Sequence, residues 1–220
     1  LTLAACTNEE QPTPADGTVQ ITASIASSTP PLQGGGAQRA EGASTRAPQL
    51  GTDGAGRFAD DDIWGLYTFT GSATSPTYSK ENIQYYADHR TTLLWADLST
   101  TEPVTFAAHY PRITETVADP TAYVFTIMGN AGDDLLLATD TRSNGQQVNL
   151  TFRHLMHRLT INLHAGQGVT DTELNHASIL TVDGPDGGGI VPESVRVNLL
   201  TGQVTPIAMS LKMDYDGGRN

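Results

Sequence analysis

The sequence predicts an all-β protein built from β-sandwich domains. Short apolar and aromatic runs of four to seven residues recur along the chain, and they are rich in β-branched and aromatic types. Glycine, proline and aspartate stand between these runs, as is typical of turns. Between residues 57 and 128, no stretch keeps the i, i+3, i+4, i+7 apolar spacing of an amphipathic helix. This rhythm is typical of sandwiches and not of helical folds.

The first residues carry an export signal. Leu3-Ala-Ala-Cys6 places an apolar residue three positions before a cysteine, with small residues between them, as a lipoprotein signal peptidase requires. We therefore expect Cys6, the only cysteine of the chain, to be lipidated and to become the new N-terminus. Residues 1–6 are then the end of a signal peptide.

Residues 7–56 are predicted to form a tether, one strand and a long loop. The strand covers residues 18–25, where four apolar residues alternate with polar ones: Val19, Ile21, Ala23 and Ile25. The loop that follows has almost no residue large enough for a core. It contains Arg39 and Arg46, which a trypsin-like protease can reach if the loop is exposed.

The rest of the chain is predicted to form two β-sandwich domains, at residues 57–146 and 147–220. The predicted strands are 63–69, 82–86, 91–95, 104–110, 122–128, 133–139, 147–163, 178–182, 195–200 and 203–207. Within 147–163 the apolar positions change parity, which predicts a bulge or turn near residues 154–158. About 70 residues are few for a complete sandwich, so we expect the second domain to be incomplete.

Composition narrows the classes of partner. The net charge is -12, with 24 acidic against 12 basic residues, and no basic patch could neutralise phosphates, so no nucleic-acid partner is expected. No apolar run approaches the roughly 20 residues that span a bilayer. We expect a lipid anchor to supply membrane association.

Three groups of residues, one of histidines and two containing aspartates, suggest metal sites. His154 and His157, with His164 nearby, lack HExxH spacing, a third placed ligand or a cysteine, so we interpret them as histidines at a strand turn. Asp60-Asp-Asp62 and Asp183-Gly-Pro-Asp-Gly187 suggest calcium, but neither has the pattern of an EF-hand loop. We interpret the first as a solvated strand entrance and the second as a turn. No metal or cofactor is predicted.

No enzyme is predicted either. The chain has no G-x-S-x-G elbow, no P-loop and no cysteine with a plausible base partner. A secreted hydrolase on a β scaffold is the third choice of function.

Four aromatic residues, Trp64, Tyr85, Tyr86 and Trp95, fit two interpretations. They fill the core between sheets, which we favour, or they form a platform for a sugar.

Several motifs occur in a fixed order along the chain. They are the lipobox at Cys6, the strand at residues 18–25, Ser44-Thr-Arg-Ala47, Phe58-Ala-Asp-Asp-Asp-Ile-Trp-Gly-Leu-Tyr67, Val104-Thr-Phe-Ala-Ala-His-Tyr-Pro111, and Asp133-Asp-Leu-Leu136 followed by Leu150-Thr-Phe-Arg-His-Leu-Met-His-Arg-Leu159. In this order the chain resembles the fimbrillin family, the subunits and relatives of the type V pili of Bacteroidota. It departs from that family at Trp64, where glycine is commoner, and at His157-Arg158, which replaces Ser-Lys.

The resemblance implies two transthyretin-like β-sandwich domains in a lipoprotein exported to the outer membrane and cell surface. It implies that an Arg-specific protease cleaves between Arg46 and Ala47 and so removes the strand at residues 18–25 together with its lipid. The vacated groove then accepts a strand from a neighbouring pilus subunit. The donated strand forms hydrogen bonds with the unpaired backbone groups and covers the apolar groove at the same time. The remaining partner is a ligand on a host or bacterial surface.

Two functions therefore stay open. The first is a structural subunit or accessory protein of a type V pilus that supports adhesion. The second is a surface lipoprotein that binds a glycan or host ligand and never polymerises. The N-terminus of the surface form separates them, because processing at Arg46 would leave Ala47 as the first residue.

Overall fold

The computed structural model describes residues 17–27, 48–51, 53–126, 134–155, 166–168, 170, 179–180, 191–210 and 214–215. Its strands are β1 Ile21–Ile25, β2 Gln49–Leu50, β3 Gly56–Arg57, β4 Ile63–Ser72, β5 Ser75–Tyr86, β6 Val104–Tyr110, β7 Tyr123–Thr126, β8 Leu136–Arg142, β9 Val148–His154, β10 Ile179–Leu180, β11 Val191–Val197, β12 Val204–Ser210 and β13 Asp214–Tyr215. In this described part, the helical structure is one 3-10 turn at Trp95–Asp97. The predicted all-β class is confirmed.

The largest sheet has eight strands in the order β2-β3-β1-β9-β8-β6-β4-β5. Its neighbours are antiparallel with one exception, since β1 runs parallel to β9 over Ile21↔Val148 to Ile25↔Phe152. β4 lies between β5 and β6 and is buried on both faces through most of its length. Its nearly continuous apolar run, Ile-Trp-Gly-Leu-Tyr-Thr-Phe, fits a strand covered on both sides.

The large sheet curls so that one of its faces encloses a first core. Side chains from β1 and β9 meet side chains from β4, β5, β6 and β8 in this core. On β9, Val148, Leu150 and Phe152 are buried and the residues between them are exposed, as the two-residue period of a strand requires. The predicted shared parity of these three residues is confirmed.

A second core lies on the opposite face of the same sheet. A three-stranded sheet in the order β12-β11-β7 covers this face. Val195 and Val197 on β11 and Leu199 in the turn after it pack there with Tyr67 on β4 and Leu137 on β8. The large sheet is therefore covered by apolar contacts on both sides, and β10 and β13 form a separate two-stranded ladder.

β9 pairs with β1 and β8 in the large sheet. The sequence predicts that this strand lies in a second domain that starts at residue 147. In the structure, its neighbours β1 and β8 come from the part of the chain before residue 147. Leu136↔His154 and Leu137↔Arg153 connect β8 to β9. The division at residue 147 stays a prediction.

One predicted strand is wrong. Residues 91–95 make a single antiparallel bridge, Thr18↔Leu94, and then enter the 3-10 turn. Leu93 and Trp95 are buried while Leu94 is exposed, so the residues alternate as a strand does without joining a ladder. The turn predicted at residues 154–158 lies partly outside the described residues, and β9 ends at His154.

Candidate functional site

The candidate site is the position of β1, which we call the β1 groove. The groove is formed by the edge of β9, the backbone of Leu93–Trp95 and the face of the first core between them. β1 contacts β3 through only one register pair, Ile25↔Gly56. The strand is thus held mainly by two partners that are distant from it in sequence.

Backbone hydrogen bonds hold both ends of the β1 segment. At its start, the Val19 N–H donates to Leu93 O at 2.8 Å, and the Trp95 N–H donates to Gly17 O at 3.0 Å. At its end, the Ala26 N–H donates to Phe152 O at 2.8 Å. If β1 left the groove, the β9 and Leu93–Trp95 groups facing it would lose these partners, and unpaired strand edges recruit another strand.

The four predicted core-facing residues of this strand point toward the first core. Val19, Ile21 and Ile25 are only 3–4% exposed, and Ala23 is partly buried against the same core. Thr22 lies on the other face, where its hydroxyl donates to Asn149 Oδ1 at 2.7 Å. One face of β1 therefore fills an apolar groove and the other is polar.

Aromatic rings fill the first core beneath the groove. Trp64 stacks on Tyr85 with ring centroids 5.4 Å apart, and it contacts Phe152 at 5.2 Å. Trp95 meets Phe106 edge-to-face at 5.7 Å. Burial raises the pKa of Tyr85 to about 12, so its hydroxyl stays protonated at neutral pH. These rings are core, which confirms the favoured interpretation of Trp64, Tyr85 and Trp95.

The first of the two aspartate groups behaves differently from its prediction. Asp60 and Asp61 are exposed, as expected of a solvated strand entrance, but Asp62 is buried. Its carboxylate accepts hydrogen bonds from the Ala59 N–H at 2.7 Å and from the Tyr110 hydroxyl at 3.0 Å. Burial, and secondarily the charge of Asp62, raises the pKa of Tyr110. Asp62 thus fixes the entry into β4.

His154 connects the end of β9 to the turn between β2 and β3. Its Nδ1 contacts the Asp134 carboxylate, and its Nε2 lies 2.8 Å from Gly54 O. Both ring nitrogens are engaged, so a metal would have to displace one of these contacts. His157, His164, Asp183 and Asp186 lie outside the described residues. Within the described ranges, no three His, Cys, Asp or Glu side chains are grouped as metal ligands.

The structure brings together only part of the predicted site. The strand residues of β1 lie in one groove, whereas Cys6, Arg46 and Ala47 lie outside the described residues. Sequence reasoning missed the Leu93–Trp95 side of the groove. The apolar run Leu93-Leu94-Trp95 was a signal of burial, but it did not indicate which strand the segment contacts. In the part of the chain that the structure describes, no helix is long and apolar enough to cross a bilayer.

Comparison with known proteins gives one family match. A family model described as fimbrillin-like matches residues 45–215. Among solved structures, a candidate cell adhesion protein of Bacteroides thetaiotaomicron VPI-5482 is 16% identical, with a TM-score of 0.44 over 90% of this chain and 67% of that one. A candidate cell adhesion protein of Bacteroides ovatus ATCC 8483 is 18% identical, with a TM-score of 0.45 over 91% of this chain and 73% of that one. No curated protein matches the chain.

Proposed function

The chain belongs to the fimbrillin-like family, and from this premise we propose that it is a structural subunit or accessory protein of a type V pilus. Membership of the family implies a location at the cell surface and supports a fimbrial or adhesive role. The proposed role is structural and not enzymatic. Before processing, Cys6 would anchor the protein to the outer membrane through a lipid.

The proposed assembly mechanism is strand exchange. An Arg-specific protease cleaves between Arg46 and Ala47, β1 leaves with the lipidated N-terminus, and a strand from another subunit enters the β1 groove. The observation that carries this proposal is the position of β1, which places Val19, Ile21 and Ile25 in the first core while pairing with only distant segments. When β1 leaves, β3 loses its one register pair with it, Ile25↔Gly56, while β9 keeps its pairing with β8.

The energetics favour replacement over an empty groove. Each fully buried aliphatic side chain contributes about 1.5–3 kcal/mol relative to its exposed state. Loss of β1 would expose apolar surface beneath Val19, Ile21 and Ile25 together with the unpaired edge of β9. An incoming strand with alternating apolar residues restores both the burial and the backbone hydrogen bonds. We expect this coupled gain to drive polymerisation.

N-terminal sequencing tests the processing step. The surface form should begin at Ala47, and Arg46→Ala should leave the original N-terminus in place. Arg39→Ala is the matched control, because Arg39 lies in the same segment and should not affect the cut. A polymer whose subunits retain residues before Ala47 would contradict strand exchange at this position.

Mass spectrometry tests the anchor. Cys6→Ala should remove the acyl mass from the unprocessed form and shift the protein out of the membrane fraction. An unchanged mass and unchanged partitioning would exclude Cys6 as the lipid site.

The alternative function, a surface lipoprotein that binds a glycan without polymerising, loses the platform first considered for it. Trp64, Tyr85 and Trp95 are at most 2% exposed and cannot offer their ring faces to a sugar. Tyr86 is half-buried, and the Arg90 guanidinium lies over its ring at 4.3 Å. An intact, lipidated N-terminus on the mature protein would nevertheless favour this alternative.

A further inference from the structure

The outer face of β8 and β9 carries a groove of about 440 Å³. This volume is in the range of small-molecule binding sites, roughly 300–1,000 Å³. The groove lies beside Thr201 and Gly202 in the turn between β11 and β12. It is lined by side chains of β9 that alternate with the core-facing ones, so it lies on the opposite face of β9 from the first core.

The lining combines hydroxyls with a small apolar surface. Thr139 on β8 and Thr151 on β9 are exposed, and Thr201 adds a third hydroxyl from the turn. Leu137 and Leu155 supply the apolar part and also pack against the second core. A threonine hydroxyl both donates and accepts hydrogen bonds, which suits a ligand that carries several hydroxyls of its own.

Arg153 is the charged member of the lining. Its side chain is exposed and has no ion pair or hydrogen bond among the described residues. By contrast, Arg142 is paired with Asp140 at 2.8 Å and Arg90 with Asp88 at 2.5 Å. No described acidic residue lines the groove. A guanidinium without a partner among the described residues therefore lines a polar groove in a chain whose net charge is -12.

We propose that this groove binds a sugar residue that carries a carboxylate. The planar guanidinium of Arg153 matches a carboxylate with two parallel hydrogen bonds. The threonine hydroxyls contact the sugar hydroxyls, and Leu137 and Leu155 contact its C–H surface. A sugar offers both donors and acceptors to the threonine hydroxyls, whereas a fully deprotonated inorganic anion offers acceptors alone. The negative net charge disfavours general attraction of anions, so binding depends on these local contacts.

This site does not require strand exchange. The side chains of β9 that line the groove point away from the first core, and β1 lies beside β9 in the sheet, where its Thr22 hydroxyl donates to the lining residue Asn149. An unprocessed monomer with β1 in place should therefore bind the sugar. Failure of polymerisation and failure of sugar binding are separate results.

The test measures sugar binding by the unprocessed chain with isothermal titration and ligand-observed NMR. The probes are N-acetylneuraminic acid and galacturonic acid, with galactose as the neutral comparison. We expect at least one acid to bind and galactose to bind far more weakly. The tighter acid identifies the source, a sialylated host glycan or a uronic-acid polysaccharide.

Arg153→Gln should weaken binding of the acid about tenfold or more, since a charged hydrogen-bond pair is lost. Arg196→Gln is the matched control, because Arg196 is exposed on β11 and its substitution removes the same charge outside the groove. Thr151→Phe should also weaken binding by filling the groove with the charge unchanged. Circular dichroism confirms that each variant is folded.

Three results would overturn the proposal. They are no binding of either acid by the original chain, equal binding of galactose, or equal loss of affinity in Arg153→Gln and Arg196→Gln. The last result would show a general effect of charge and not a site.

Discussion

His109 on β6 is fully buried, and its ring occupies the space over Gly65 on β4. The Ile113 N–H donates to His109 Nε2 at 3.3 Å, while Asn82 Nδ2 donates to Ile113 O at 3.0 Å. Two side chains therefore hold both polar backbone groups of Ile113. This arrangement requires a residue without a side chain at position 65, which is why glycine stands between the buried Trp64 and Leu66.

Gly65→Ala should destabilise the fold by about 1–3 kcal/mol, as overpacking in a core usually does. A Cβ at this position would lie 2.1 Å from His109 Cε1 and 2.5 Å from Asn82 Oδ1, and the buried ring has little freedom to move away. Urea unfolding measures the loss. Gly166→Ala is the control, because nothing lies within 4 Å of its added Cβ. Equal costs for the two substitutions would contradict the proposed packing.

His109 should also make stability depend on pH. Burial, and secondarily Arg112, lowers the pKa of His109 to about 4, against about 6.5 for an unperturbed histidine. Between these values the unfolded chain binds more protons than the folded one, so stability rises with pH. The contribution of His109 is complete above about pH 6.5 and falls by up to about 1.4 kcal/mol per pH unit as pH decreases toward 4.

Urea unfolding at about pH 7 and pH 5 measures this dependence. The original chain should be less stable at the lower pH, and His109→Gln should reduce the difference because the titrating group is gone. His89→Asn is the control, since His89 is exposed and has a positive φ of 64° that asparagine tolerates. If His109→Gln and His89→Asn show the same pH dependence as the original chain, His109 is not its cause.

At the scale of elements, β1 should contribute stability through one face only. Ile21→Ala removes a side chain that is 4% exposed in the first core and should cost about 2–5 kcal/mol. Ser24→Ala, on the exposed face of the same strand, should change stability by less than about 0.5 kcal/mol. Urea unfolding compares the two variants. Equal effects would show that the alternation of this strand does not reflect its packing.

The period of two explains why individual strands could be predicted. Polar and apolar residues alternate in β1 and β9, and the structure buries the apolar set in each. Residues 91–95, Thr-Thr-Leu-Leu-Trp, do not alternate in sequence and form no ladder, because Leu93 and Trp95 reach the first core from a loop. An apolar run reports that side chains are buried. It does not report whether the backbone has a strand partner.

At the scale of the whole molecule, the pairing of strands was beyond the sequence. β1 and β9 are parallel neighbours although more than 100 residues separate them, and β9 belongs to the segment assigned to a second domain. Long-range pairing depends on which apolar faces meet, and a local sequence pattern does not indicate which faces those are. The core-facing residues of β1 were predicted correctly, whereas the walls of its groove required the structure.

Strand exchange requires β1 to leave, so a covalent link between β1 and β9 should block assembly. Thr22 and Asn149 are Cα partners on the exposed face, and their side-chain oxygens lie 2.7 Å apart. Neighbouring strands are about 4.8 Å apart, within the Cα separation of roughly 4.4–6.8 Å that a disulfide spans. Thr22→Cys with Asn149→Cys, in a chain with Cys6→Ser, therefore provides a reversible lock.

The oxidised double variant should be cut after Arg46 by an Arg-specific protease and still remain monomeric, with the first strand attached through the disulfide. Dithiothreitol should release that strand and restore polymerisation to the level of the Thr22→Cys single variant. Size-exclusion chromatography measures the polymers, and mass spectrometry measures the retained strand. Polymers formed equally well by the oxidised and reduced double variant would mean that subunits join without emptying the β1 groove.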